Sequence, residues 1–204
     1  LRPHVKTHKL PQIIAMKLRA GITRFKASTI AEAEMTASAG GEDVLLSYQP
    51  VGPAVQRFIE LVTTFPETRF ATIVDNLAVI SALSRAAVVA KVVLHVYLDL
   101  NVGMNRTGVT PGDEAAAIYR AIAAAPGLSP SGLHAYDGHL HDKDHGALVK
   151  VTEQAFQKVL SLAAKLCSEG YDVPKIIASG TPTYPLYAHY ADVEVGCGTT
   201  VLWD

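Results

Sequence analysis

Residues 3–27 read PHVKTHKLPQIIAMKLRAGITRFKA, and this stretch decides the fold. A short β run at 3–7 is followed by a turn, and Pro11 suits the first position of a helix. Gly21 falls where that helix should stop, and a second β run follows at 22–27. Strand, helix, strand implies two parallel strands joined by a right-handed crossover. An open dinucleotide-binding sheet would want G-x-G-x-x-G after its first strand. The turn here is Thr7-His8-Lys9-Leu10-Pro11, without glycine.

The same alternation continues to the end of the chain. Further strands are expected near 43–48, 69–74, 91–100, 131–136, 175–179 and 192–196. Pro53 and Pro111 suit first helical positions. Thr29-x-x-Glu32 reads as a capping box, and Thr110 can cap the helix that Asp113 and Glu114 begin. Gly170 marks another helix stop. Eight strand–helix units in 204 residues suit a closed (β/α)8 TIM-type barrel, one domain over 1–204, better than an open sheet. No linker, low-complexity tract or internal repeat interrupts it.

Composition excludes several partners. Half the residues are apolar and 18% are charged, as in a folded domain with a sizeable core. Net charge is −1 with no basic stripe, which argues against nucleic acid or an anionic membrane as partner. The most apolar stretch, Ala86 to Leu100, is broken by Lys91, His95 and Asp99 and is too short to span a bilayer. Two cysteines, Cys167 and Cys197, make no disulfide framework and suit a reducing cytoplasm. No signal peptide is visible. The chain starts at Leu1 and ends at Trp203-Asp204 within a strand-like run, and so reads as a piece of a longer protein.

Catalytic groups of a barrel cluster where strands end and loops begin. The unusual residues lie there. A lysine in a barrel strand is costly to bury, and desolvation lowers an amine's pKa and makes it nucleophilic. Alternation puts Arg2, His4 and Lys6 on one strand face, with Pro3 and Val5 on the other. Lys6 is therefore the leading nucleophile; a strand-end lysine snorkelling to water is the plainer reading. Lys26, ending the second strand, is a rival, and Lys9 lies beyond the strand as a surface charge. Ser179-Gly180-Thr181 and Gly198-Thr199-Thr200 follow strands seven and eight, the usual phosphate site of this architecture. Either is by itself an ordinary turn. Arg106, between Gly103 and Gly108, can hold a phenolate or carboxylate oxygen or sit solvated in its loop. Tyr136 can lie against a flat cofactor or fill the core. His139-x-His141 lacks a carboxylate at a fixed helical spacing and is a weak metal signal, so no metal ligand is assigned. Cys197 reads more simply as a small buried residue than as a reactive thiol.

Arg2-Pro-His-Val-Lys6-Thr-His-Lys9 resembles the lysine segment of the D-threonine aldolase and D-serine dehydratase family. That family belongs with alanine racemase among pyridoxal-phosphate enzymes built on a barrel. Gly103-Met-Asn-Arg106-Thr-Gly108, Gly132-Leu-His-Ala-Tyr136-Asp-Gly-His139, Gly180-Thr181 and Gly198-Thr199 match in the same order, over nearly the whole chain. The resemblance implies an alanine racemase N-terminal-domain-like barrel with Lys6 as the Schiff-base lysine. It also implies Arg106 near the cofactor's phenolic oxygen, Tyr136 lining the ring, and Gly180, Thr181, Gly198 and Thr199 at the phosphate. It further implies a β-rich C-terminal domain outside this chain, carrying a divalent metal such as zinc or manganese, and a homodimer. One departure concerns the pyridine nitrogen. Around Gly196 many relatives have a larger polar or basic residue, and at Thr200 many have tyrosine.

The reading is a lyase acting on a small D-3-hydroxy-amino acid, an aldolase or a dehydratase. An amino-acid racemase and a non-catalytic pyridoxal-phosphate carrier are the alternatives.

Overall fold

The computed structural model describes residues 1–202. Seven parallel strands lie in the order β1-β2-β3-β4-β5-β6-β7. They are β1 (Arg24–Ala27), β2 (Asp43–Leu46), β3 (Arg69–Val74), β4 (Leu94–Leu100), β5 (Leu128–Ala135), β6 (Ile176–Ala178) and β7 (Val193–Val195). Each connection up to β6 carries one helix: α2 (Ile30–Ser38), α3 (Pro53–Thr64), α4 (Leu77–Ala90), α5 (Asp113–Ala124) and α6 (His145–Ser168). A further helix, α1 (Pro11–Arg19), precedes β1, and a 3-10 turn at Tyr184–Tyr187 joins β6 to β7.

The ring is closed by residues 2–5. Arg2 and His4 donate their backbone N–H groups to Val195 and Cys197 on one side, at 2.9 and 2.8 Å. On the other side Lys26 N–H reaches Pro3 and Val5 N–H reaches Lys26, at 3.0 and 2.9 Å. The expected strand at 3–7 is therefore present only as this short closing segment, with a single bridge between His4 and Lys26. Pro3 has no N–H to give the ladder, and from Val5 the chain turns, His8 and Lys9 both donating to Val5.

Alternation sorts the core into two layers. Val5, Phe25, Val44, Phe70, Leu98 and Leu133 face outward into the layer beneath the helices. Leu45, Ala71, Ile73, Tyr97 and Ile177 fill the barrel. Below them Arg2, 1% exposed, pairs with Asp43 at 2.8 Å and Glu194 at 2.6 Å, tying the closing segment to β2 and β7. The two carboxylates hold its pKa above the ordinary arginine value despite burial.

Local signals placed most boundaries. Thr29 accepts from Glu32 N–H at 3.1 Å, as the capping signal required, and the Glu32 carboxylate reaches back one residue beyond the cap, accepting from Ser28 N–H at 2.7 Å. Gly21 and Gly170 adopt φ of +81° and +86° just past their helices. Three expectations are corrected. Helix α5 starts at Asp113 with Gly112 as its cap, so neither Pro111 nor Thr110 takes the role expected. The fifth expected strand starts at Leu94 rather than at 91, because Lys91 ends α4 in the left-handed conformation. The strand-like run at the end is a 3-10 turn over Thr199–Leu202, and Trp203-Asp204 lie outside the described residues.

Among the described residues no helix is long and apolar enough to cross a membrane.

Candidate active site

A cavity of about 340 Å³ opens at the C-terminal ends of the strands, where this architecture places its chemistry. His4, Lys6, Lys26, Asp99, Arg106, His134 and Tyr136 are among its lining residues. The ends of the closing segment, β1, β4 and β5 thus converge on one space from positions up to 132 residues apart.

Lys6 stands in the turn just beyond the closing segment, exposed at the cavity mouth. It is not the buried strand lysine that alternation suggested, because the strand ends two residues earlier. Its amine lies 5.9 Å from the Tyr136 ring centre. Partial desolvation, then the Arg106 charge, lowers its pKa below the ordinary lysine value. That is the condition a nucleophilic amine needs. Lys9 is exposed and folds back to donate to the Lys6 carbonyl at 2.8 Å.

Arg106 stacks its guanidinium 4.9 Å from the same ring. Its loop is built by Asn101, whose side-chain oxygen accepts from Gly103 and Asn105 N–H, both at 3.0 Å. Gly108 completes the turn at φ +90°, where a Cβ would lie 2.6 Å from the Leu100 backbone. Tyr136 owes its direction to Gly138: a Cβ there would sit 2.0 Å from the tyrosine oxygen.

The lysine buried in the barrel is Lys26, 3% exposed. Its amine lies 2.9 Å from His134 Nε2, and His134 Nδ1 lies 2.6 Å from Asp99. Asp99 also accepts from the Thr107 hydroxyl at 2.8 Å. Burial and Lys26 hold the imidazole pKa down. A neutral ring donating Nδ1–H to Asp99 leaves Nε2 to accept from Lys26. Burial pushes the Lys26 amine down to about 8. His4, also buried, is pushed down to about 2 by burial and then by the Lys26 charge.

The two small-residue loops lie side by side, as strand order required. Gly196 N–H donates to Ser179 Oγ at 3.1 Å, and the Thr199 and Thr181 hydroxyls meet at 2.9 Å. They border the cavity through its wall: a Cβ on Gly198 would meet His4 at 3.0 Å, and one on Gly196 would meet the Lys26 amine at 3.0 Å. Their members divide the work. Ser179 is fully buried, at φ +84°, its hydroxyl used by Gly196. Gly180 N–H is taken by Asp137 and Thr183. Both therefore brace the loop, while Thr181 and Thr199 are partly exposed.

Sequence reasoning singled out none of Asp99, His134 or Asp137 for a role of its own. Asp137, fully buried, accepts from Thr183 at 2.7 Å, Tyr187 at 2.8 Å and Gly180 N–H, so it fastens the strand-five end to the loop after β6. His139 and His141 gain no carboxylate, and among the described residues no three His, Cys, Asp or Glu side chains converge as metal ligands do. Cys197 is buried and Cys167 exposed, both free.

The cavity suits a flat, polar, anionic ring compound. Two lysines and an arginine surround the Tyr136 ring, the Ser47 hydroxyl at the wall has no hydrogen-bond partner among the described residues, and glycines keep the neighbouring loops close.

Known proteins resemble the chain throughout. It is 30% identical to D-threonine aldolase of Arthrobacter sp. over 182 residues, 89% of the chain and 48% of that protein. It is 27% identical to D-threo-3-hydroxyaspartate dehydratase of Delftia sp. strain HT23, over 100% of the chain and 54% of that protein. The crystal structure of D-threonine aldolase from Filomicrobium marinum superposes with a TM-score of 0.90 at 29% identity, over 97% of this chain and 53% of the other. The chain thus spans about half the length of the relatives it matches. The model of the alanine racemase N-terminal domain matches residues 1–202, and with the barrel and its rim of functional groups this places the chain in the alanine racemase N-terminal-domain family.

Proposed function

We propose that this chain is the cofactor-binding barrel of a pyridoxal-phosphate-dependent lyase acting on a D-3-hydroxy-amino acid, of the D-threonine aldolase or D-serine dehydratase type. The observation that carries it is the grouping of Lys6 and Arg106 around the Tyr136 ring at one barrel mouth. The similarity to D-threonine aldolase and D-threo-3-hydroxyaspartate dehydratase supports the substrate class.

Each residue has a task. Lys6, with its lowered pKa, would hold the cofactor through its amine and, on the dehydratase route, would be placed to take the proton from the substrate α-carbon. Arg106 donates to the phenolic oxygen, and Tyr136 supports the ring. Thr181, Gly198 and Thr199 hold the phosphate, on a loop braced by Ser179 and Gly180. When bound, pyridoxal phosphate supplies an electron sink at the substrate α-carbon. A divalent metal, zinc or manganese, belongs to the proposal only through residues outside this chain. The homodimer rests on the resemblance, and the cytoplasmic setting on the two unpaired cysteines.

Two measurements test the reading on the full-length protein. Borohydride reduction followed by peptide mapping should leave the pyridoxyl group on Lys6; a label on Lys26 or Lys9 overturns that assignment. Turnover of D-threonine or D-serine, lost with chelator and restored with zinc or manganese, is expected. Racemisation without cleavage or dehydration would refute the lyase.

A further inference from the structure

Lys26, His134 and Asp99 form a buried hydrogen-bonded chain that none of the tasks above uses. It begins at Asp99, tied to the Arg106 loop through Thr107, and ends in an amine whose only hydrogen-bond partner among the described residues is His134. The free side of that amine is defined by Gly196. A Cβ at this position would lie 3.0 Å from both Cδ and Nζ of Lys26, so the absence of a side chain on β7's end makes room for the lysine head. Lys26 lines the same cavity as Lys6 and Tyr136.

Depth orders the two lysines. Lys26 lies inside the ring beside His4 at 3% exposure, whereas Lys6 stands exposed in the turn at the mouth. In pyridoxal phosphate the ring nitrogen lies opposite the carbon that bears the aldehyde. If Lys6 holds that carbon at the mouth and the loops at 181 and 198–199 hold the phosphate beside it, the nitrogen faces inward.

We infer that Lys26 is the hydrogen-bond donor to the ring nitrogen of bound pyridoxal phosphate, with His134 and Asp99 as its positioning residues. The donor is an ammonium group held by a neutral histidine, so the ring nitrogen accepts a hydrogen bond and stays unprotonated. Gly196 is the residue that makes this possible. The inference rests on the cofactor reading above.

The test uses the full-length protein loaded with pyridoxal phosphate labelled with nitrogen-15 in the ring. Nuclear magnetic resonance of the wild type should give the chemical shift of a hydrogen-bonded, unprotonated nitrogen. Lys26→Met should move that signal and weaken cofactor binding about tenfold, the value of one charge-assisted hydrogen bond. Lys26→Arg should restore much of both. Gly196→Ala, which leaves every polar group in place, should move the signal in the same direction by displacing the amine. A protonated nitrogen in the wild type, or identical signals in wild type, Lys26→Met and Gly196→Ala, overturns the inference and leaves the cofactor reading intact. A wild type that takes up no cofactor overturns both.

Discussion

Replacing Lys26 with methionine should stabilise the cofactor-free protein at neutral pH and abolish part of its pH dependence. An ordinary lysine has a pKa of 10.5; burial lowers Lys26 to about 8. At ~1.4 kcal/mol per tenfold, that difference corresponds to a penalty of about 3 kcal/mol for keeping the amine charged in the fold. The sign follows from proton counts. Between pH 8 and 10.5 the unfolded chain keeps this proton and the folded chain sheds it, so stability rises with pH. Below pH 8 both states hold the proton and the penalty is complete; above 10.5 neither does and it is gone. Methionine removes the penalty but leaves His134 Nε2 without its donor, a loss of ~1 kcal/mol. The net expectation is a gain of about 2 kcal/mol at pH 7, shrinking to a loss of ~1 kcal/mol by pH 10.5. Urea unfolding at half-unit pH steps measures it, with the slope checked for constancy. A difference between variant and wild type that stays flat from pH 7 to 10.5 would refute the argument that Lys26 is charged against its environment.

Three other outcomes follow from the geometry. His4 has its pKa pushed from 6.5 to about 2, so it stays neutral in the fold while the unfolded chain takes up a proton below pH 6.5. His4→Asn should therefore spare the protein an acid loss of about 3 kcal/mol at pH 4.5, read from unfolding curves at pH 7 and 4.5. Asp137→Ala strands the Tyr187 hydroxyl and removes the better of two partners from the Thr183 hydroxyl and the Gly180 N–H, and should cost about 3 kcal/mol in the same assay. Gly198→Val drives a side chain into His4, 3.0 Å from the glycine's Cβ position, and should weaken pyridoxal-phosphate binding about tenfold or more in a spectroscopic titration, whereas unchanged affinity would remove this loop from the phosphate site.

Much of this protein is written locally. Pro11, Pro53, Gly21, Gly170 and the Thr29–Glu32 capping box act on backbone groups within a few residues, so their meaning survives without the fold. The repeating strand–helix order then leaves a parallel barrel as the economical arrangement, and it predicts that the loops at 179–181 and 198–200 are neighbours. The sequence misplaced the buried lysine because strand length near Pro3 depends on a ladder with β7 and β1, at the opposite end of the chain and across a turn. It showed two candidate lysines and could not rank their burial, since burial is a property of the closed ring. Lys26 meets His134 across 108 residues, Arg2 meets Glu194 across 192, and Asp137 meets Tyr187 across 50. No local pattern encodes such pairs, because the energy that makes them arises only when distant groups are desolvated together. The residue types and their strand-end positions were the sequence's contribution; which of them are charged, buried and in contact was decided by tertiary structure.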